Sequence, residues 1–283
     1  MLKRYFTKKR KCIDAWLDDT LIGAKTYPAL IHESMRYMVL NGGKRIRPIL
    51  AIACCEACGG HQKDIAIPAV AIELIHTYSL IHDDLPCMDN DDYRRNQPTC
   101  HKKYGEAFAL LAGDGLLTYA FELLSKLRAS KQTMRIIRTL SHDAGTVGMI
   151  GGQVVDKLSE NKTVTLPLLD YINVHKTGKL ITASCLIGAI AANARPQQEK
   201  KIKKYGEYLG FAFQVVDDII DNNGYLRFMS KHEALCRAEE LVQNAKHAIR
   251  TLGQRAQILN HIADFVLHRG NRCDEKKNKA KKS

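Results

Sequence analysis

Six aspartates stand in two short runs where carboxylates are costly. The first run is Ile81-His82-Asp83-Asp84-Leu85-Pro86-Cys87-Met88-Asp89, and the second is Phe213-Gln214-Val215-Val216-Asp217-Asp218-Ile219-Ile220-Asp221. A carboxylate withdrawn from water must be paired, or it takes up a proton. Six of them among apolar neighbours therefore call for cations held between the two runs. Hard oxygen donors select magnesium or manganese, and magnesium commonly binds through a few carboxylates completed by substrate phosphates. Asp217 and Asp221 are four apart on a helix, roughly 5–6 Å between Cβ atoms, so one ion can bridge them with Asp218 beside it. In the first run Pro86 breaks the helix, and Asp89 reaches back towards Asp83 only if the chain unwinds there.

Cations suited to phosphate stand just after the first run and, further away, before it. Arg94 and Arg95 follow the first closely, and a guanidinium offers phosphate a planar fork. Lys44, Arg45 and Arg47, in Gly42-Gly43-Lys44-Arg45-Ile46-Arg47-Pro48, stand at a helix start, where free N–H groups and the dipole favour an anion. His76 lies seven residues before Asp83, on nearly the same helical face, and is a candidate phosphate contact. Carboxylates for metal beside guanidiniums for phosphate point to a diphosphate gripped through metal ions.

The elements that must position these groups are helices. Apolar residues recur with helical period almost throughout, and alternating strand patterns are absent. Helices are expected over 29–40, 49–58, 65–85, 106–127, 131–146, 148–158, 166–193, 199–222, 234–251 and 256–267, with 90–105 as a loop. Several are apolar around most of their circumference and must be central. No linker or internal repeat divides the chain, so residues 1–283 are expected to form a single all-α domain, a bundle carrying its site on inward faces. The basic ends, 1–20 and 269–283, are expected to be frayed.

The net charge is +13, from 43 Lys+Arg against 30 Asp+Glu, which on its own would suit nucleic acid, an anionic surface or an anionic small molecule. No aromatic residue interleaves with the C-terminal lysines, so a base-stacking platform is not expected, and a nucleic-acid-binding role would leave the two apolar-embedded carboxylate runs unexplained. The nine cysteines read as small buried hydrophobes of a reducing cytosol. No signal peptide is visible, and the longest apolar stretch, Leu180–Ala192, is too short to span a membrane. A cytoplasmic protein is expected.

The run Leu74 to Arg95 resembles the first aspartate-rich motif of the trans-isoprenyl diphosphate synthases. Gly42 to Pro48 resembles their isopentenyl diphosphate motif, and Phe213 to Asp221 their second aspartate motif. Gly151-Gly152-Gln153 with Asp156, and Lys176-Thr177-Gly178, also fit, in the right order from about Tyr27 to Asp221. The resemblance implies the isoprenoid synthase helical bundle, a homodimer, and head-to-tail condensation of isopentenyl diphosphate with an allylic diphosphate, dimethylallyl or geranyl. It implies three magnesium ions, with manganese as a substitute, bridging the allylic diphosphate to Asp83, Asp84, Asp89 and Asp217, supported by Asp218 and Asp221. Arg94 and Lys176 would hold the same diphosphate. Lys44, Arg47, His76 and Arg95 would hold isopentenyl diphosphate, and Thr177 and Gln214 would lie beside the developing cation. A terpene cyclase would mix Asn, Ser and Glu in the second run, and a weakly active partner subunit would have lost an aspartate run.

Tyr78 and Ser79 precede Asp83 by five and four residues. Five residues correspond to about 7.5 Å along a helix, below the metal site, where a growing tail would descend. Tyr78 is thus the expected floor for a C15 product, farnesyl diphosphate, with a C20 geranylgeranyl product as the alternative. One departure stands out: after Asp221 the chain runs through Asn222 to Lys231 straight into another helix, some twenty-odd residues shorter than the family pattern, without its usual lysine.

Overall fold

The computed structural model describes residues 1–160 and 162–280, with side chains placed as far as Arg269 in the last helix. The chain opens with α1 (Leu2–Thr20), α2 (Ala29–Leu40), α3 (Ile46–Ala57) and α4 (Gln62–Asp83). A two-residue hairpin, β1 (Tyr93–Arg94) against β2 (Gln97–Pro98), and the short α5 (Cys100–Tyr104) occupy the expected loop. Then come α6 (Glu106–Ser125), α7 (Lys131–Ala144), α8 (Met149–Ser159) and α9 (Leu166–Ile172). A π-helical turn, Asn173–Gly178, joins α9 to α10 (Lys179–Ala191), followed by α11 (Pro196–Asp221), a 3₁₀ turn at Gly224–Arg227, α12 (Lys231–Ile249) and α13 (Gln257–Ala280).

The expected all-α bundle is therefore present, with α4, α10 and α11 at its centre. α4 is apolar on every side: Ile65, Ile72, Leu74, Ile75 and Ile81 are all fully buried. It packs on α3 and α6, while α10 packs on α3, α7 and α11. Close approach is obtained with glycine. A Cβ at Gly188 of α10 would overlap the Ala51 carbonyl oxygen of α3, and one at Gly152 of α8 would overlap the Lys176 backbone. By length and composition α4 and α6 could cross a membrane, which the expectation from Leu180–Ala192 overlooked; α4, however, is enclosed by the bundle.

Residues 1–20 are not frayed. Ile13 and Leu17 are fully buried, and the buried Lys9 ammonium reaches Glu56 at 2.5 Å and Gln62 at 3.0 Å. The basic composition had hidden an apolar stripe at helical spacing. Of the expected frayed C-terminus, Arg269 is placed and bonded (below), and the side chains beyond it lie outside the described residues. The thiols of Cys87 and Cys236 are exposed rather than buried.

Candidate active site

α4 ends at Asp83, and Asp84 caps it. Pro86 then turns the chain so that the Asp89 N–H donates to the Asp83 carbonyl at 2.8 Å, which meets the condition set by the sequence for Asp89 to reach back towards Asp83. α8 faces this turn. Gln153 Nε2 donates to Asp83 Oδ1 at 2.6 Å, and Lys157 Nζ reaches the Met88 carbonyl at 2.7 Å and Asp89 Oδ1 at 3.2 Å. Burial, reinforced by Asp89 although opposed by Lys176, pushes the Asp83 carboxyl up to about 6. Asp84 is fully buried and bound by Arg94, whose Nε lies 2.6 Å from Oδ1. Its Oδ2 has no partner, and burial raises its pKa too.

The second acidic set lies at the end of α11. Asp217 accepts from Arg269 Nη2 at 2.7 Å; burial raises its pKa, with Asp221 adding to the effect. Asp221 is exposed. Asp218 turns the other way and is buried: it accepts from Gln214 Nε2 at 3.0 Å and from the Tyr225 N–H at 3.1 Å. Gly224 has φ 56°, and a Cβ there would overlap the Asp218 carboxylate. The short connection of residues 222–230 is thus folded onto the second acidic set. It is pinned from beneath, where Tyr225 OH donates to Asp170 Oδ1 at 2.5 Å and Arg237 Nη2 to both Asp170 oxygens at 2.9 and 3.0 Å.

Beside Asp218 opens a cavity of about 600 Å³ lined by Asp156, Asn173, Lys176, Thr177, Gln214 and Asp218 among others. The π turn faces it. Such turns insert a residue into an α-helix and recur at functional sites; here Lys176 Nζ reaches Asp156 Oδ2 at 2.7 Å. Arg227, from the short connection, lines the same cavity.

The basic loop before α3 divides its residues. Gly42 and Gly43 take φ 85° and 131°, left-handed values that glycine tolerates, and the Arg95 guanidinium lies against Gly43 and bonds the Gly42 carbonyl. Arg45 does not serve an anion. It is buried and tied to Asp14 at 2.8 Å, Glu73 at 2.7 Å and the Val39 carbonyl at 2.6 Å. Arg47 turns the other way, towards His76 Nε2 at 3.2 Å. Its Nε is buried without a partner, and burial lowers its pKa to about 10. Burial, with Arg47 and Arg95 next, pushes His76 well below its ordinary range, so the ring is neutral and accepts from Arg47. Lys44 is exposed at the same mouth. Asp217 contributes to the field on Arg47, which sets this cationic cluster beside the second acidic set.

Tyr78 is buried, 5% exposed, with its hydroxyl unpartnered and its ring edge-on to His82 at 5.7 Å. Ser79 Oγ is satisfied by the His76 carbonyl at 2.9 Å. Sequence reasoning missed Asn173, Asp170, Tyr225, Arg237 and Arg269. For Arg269 a signal existed: the buried positions Leu259, Ile262 and Val266 of α13 recur at helical spacing, and the next position on that stripe is 269.

Among the described residues no three acid, histidine or cysteine side chains form a ready-made cation cage. The donors nevertheless suit a hard divalent ion: burial disfavours the charge of Asp83, Asp84, Asp217 and Asp218, and Asp84 Oδ2 is unsatisfied. Such a site is completed by phosphate oxygens arriving with the metal.

Comparison with known proteins agrees. The polyprenyl synthetase family model matches residues 28–234. The chain is 39% identical over 294 aligned positions to the geranylgeranyl diphosphate synthase of Cyanophora paradoxa, covering 95% of this chain and 97% of that protein. It is 37% identical to the dimethylallyltranstransferase of Fischerella ambigua, over 95% and 84% of the two chains. The crystal structure of an FPP/GFPP synthase from Zymomonas mobilis superposes with a TM-score of 0.89 at 35% identity, covering 94% of this chain and 98% of that one. Two acidic sets on long helices, in a bundle shared almost end to end with these relatives, leave one conclusion: the chain belongs to the polyprenyl synthetase family and is a prenyltransferase.

Proposed function

We propose that the protein condenses isopentenyl diphosphate with dimethylallyl and then geranyl diphosphate, releasing farnesyl diphosphate. The observation that carries this reading is the half-buried Arg47–His76 pair, with Arg95 beside it. A half-buried guanidinium whose one bonded partner among the described residues is a neutral imidazole is costly, and an anion entering there relieves the cost. That anion site stands next to carboxylates suited to metal, so one diphosphate binds through cations of the protein and the other through metal.

Asp83, Asp84, Asp89 and Asp217, supported by Asp218 and Asp221, would hold magnesium, which would supply neutralisation of the departing diphosphate. Lys176, turning from Asp156, and Arg94, turning from Asp84, add protein cations to the same leaving group, where fixed charge contributes most to catalysis. Thr177 and Gln214 line the cavity in which the allylic cation forms. The isopentenyl double bond attacks that cation, and the proton then lost passes to the released diphosphate. Exposed apolar residues Phe108, Leu110 and Leu111 on α6, with Ile150, Val154 and Leu158 on α8, support a homodimer, and free thiols support a reducing cytoplasm.

Tyr78 supports the C15 product, being large, buried and below Asp83. A C20 product is favoured instead by the likeness to geranylgeranyl diphosphate synthases such as that of Cyanophora paradoxa. Labelled isopentenyl diphosphate with either allylic primer, with and without EDTA, followed by sizing of the dephosphorylated products, tests both. A C15 product lost with EDTA is expected. A C20 product would keep the reaction and remove the floor; no product from folded protein with either primer would sink the proposal.

A further inference from the structure

Arg269 is a feature of this site that neither the aspartate runs nor the basic loop foretold. It projects from α13, whose preceding turns are anchored by the buried Val266 and by the Lys246–Asp264 ion pair at 2.6 Å. Its Cζ lies 4.5 Å from the centroid of Phe213. One nitrogen, Nη2, bonds Asp217 Oδ1 at 2.7 Å. The other, Nη1, is buried with no partner. Phe213 and Asp217 are four residues apart on α11 and form a two-point clamp: the ring takes the cation's face and the carboxylate takes one of its edges.

This clamp occupies one oxygen of Asp217, a carboxylate that the proposed function assigns to metal. Resting on the reading above, we infer that Arg269 is a resting-state stand-in for the divalent cation at Asp217. It neutralises that carboxylate in the empty protein and so weakens binding of a bare metal ion there. It yields when the metal arrives on a diphosphate, because the incoming anion gives the guanidinium a new partner. The unpartnered Nη1 edge has bonding capacity in hand for that exchange, and Lys44, which also acts on Asp217, marks the neighbourhood as cationic. Metal and diphosphate would then bind to the second acidic set together more readily than metal alone.

The test is Mn2+ titration of the full chain, reading free ion by its paramagnetic resonance signal, with inorganic diphosphate absent or present. Without diphosphate, Arg269→Gln should bind Mn2+ about tenfold more tightly than wild type, the equivalent of one charge-assisted hydrogen bond of about 1.4 kcal/mol. Adding Asp217→Asn to Arg269→Gln should abolish the gain, and saturating diphosphate should narrow it. Arg269→Lys, which keeps the charge without the fork, should fall between, and carries the test if the glutamine variant does not fold. Unchanged or weaker Mn2+ binding in these variants, or a gain that survives Asp217→Asn, would overturn the inference. None of these readings needs turnover, so an absent prenyl product would count against the proposed activity without being confused with them.

Discussion

Replacing Arg47 with methionine should make the empty protein more stable and the enzyme worse. Burial lowers the Arg47 guanidinium from 12.5 to about 10. At about 1.4 kcal/mol per tenfold in proton affinity, holding it charged costs about 3 kcal/mol near neutrality. Methionine keeps the apolar stem and removes the charge, so Arg47→Met should raise the unfolding free energy by about 1–3 kcal/mol. A charged hydrogen bond to phosphate is worth about 1.5–3 kcal/mol, so KM for isopentenyl diphosphate should rise about 10- to 100-fold. KM for the allylic primer should move little. Denaturant unfolding with and without inorganic diphosphate, together with initial rates against each substrate, measures all of this. A destabilised Arg47→Met protein would mean that the guanidinium is a structural brace. Unchanged KM for isopentenyl diphosphate would remove the anion site from the mechanism.

Three further outcomes follow from neighbouring residues. His76 is held neutral by burial and by Arg47, below its ordinary 6.5. A base depressed on folding contributes stability that is present above 6.5 and lost as pH falls below it, so wild type should lose about 1.4 kcal/mol from this group between pH 7.5 and 5.5. His76→Gln should flatten that portion of the pH–stability curve, and an unaltered slope would refute the assignment. Gly224→Ala should lower stability by about 1–3 kcal/mol and depress kcat, because the left-handed φ of 56° is strained for alanine and its Cβ would displace the Asp218 carboxylate. Thermal melts and initial rates check it. Arg237→Met should loosen residues 222–230, costing about 1–2 kcal/mol for the lost Asp170 bonds, and hydrogen exchange at the Tyr225 amide should accelerate.

The parts of this architecture that could be read from sequence are those in which a single helix carries both pattern and chemistry. The 3.6-residue spacing in α4 and α11 placed Asp83, Asp217 and Asp221, and the helix-breaking Pro86 foretold the fold-back of Asp89. What escaped depends on contacts between distant segments. Leu166–Asn193 reads as one helix because nothing local marks the extra residue of the π turn; it is the approach of Gly152 to Lys176 and of Gly210 to Gly178 that shapes the wall there. Arg45 and Arg47 look alike in sequence, and only the position of Glu73 and Asp14 on one side and His76 on the other separates a brace from a binding group. The shortened connection after Asp221 looked like a loss. Its replacement, the Tyr225–Asp170–Arg237 network, joins residues 67 apart at its widest, beyond any local pattern.

The ion pairs at the acidic sets bear on how the two proposed substrates differ. Asp84 is held by Arg94, Asp156 by Lys176 and Asp217 by Arg269. Each pair sets a carboxylate beside a cation that can turn to phosphate. A metal diphosphate is itself an ion pair of the opposite layout, with its metal seeking carboxylate and its phosphates seeking guanidinium or ammonium. Entry can therefore proceed by exchange: each resting pair separates and both halves are re-paired, so that no buried charge is stranded at the end. Arg47 has no such resting carboxylate. Its bonded partner is a neutral imidazole, so a bare diphosphate improves its surroundings without any exchange. The allylic substrate should accordingly bind with metal and displace existing pairs, whereas isopentenyl diphosphate should bind without metal. Calorimetric titration with EDTA present decides between these routes. A metal-free protein that binds isopentenyl diphosphate through Arg47 while ignoring the allylic diphosphate fits the exchange argument, and metal-free binding of both with equal strength would refute it.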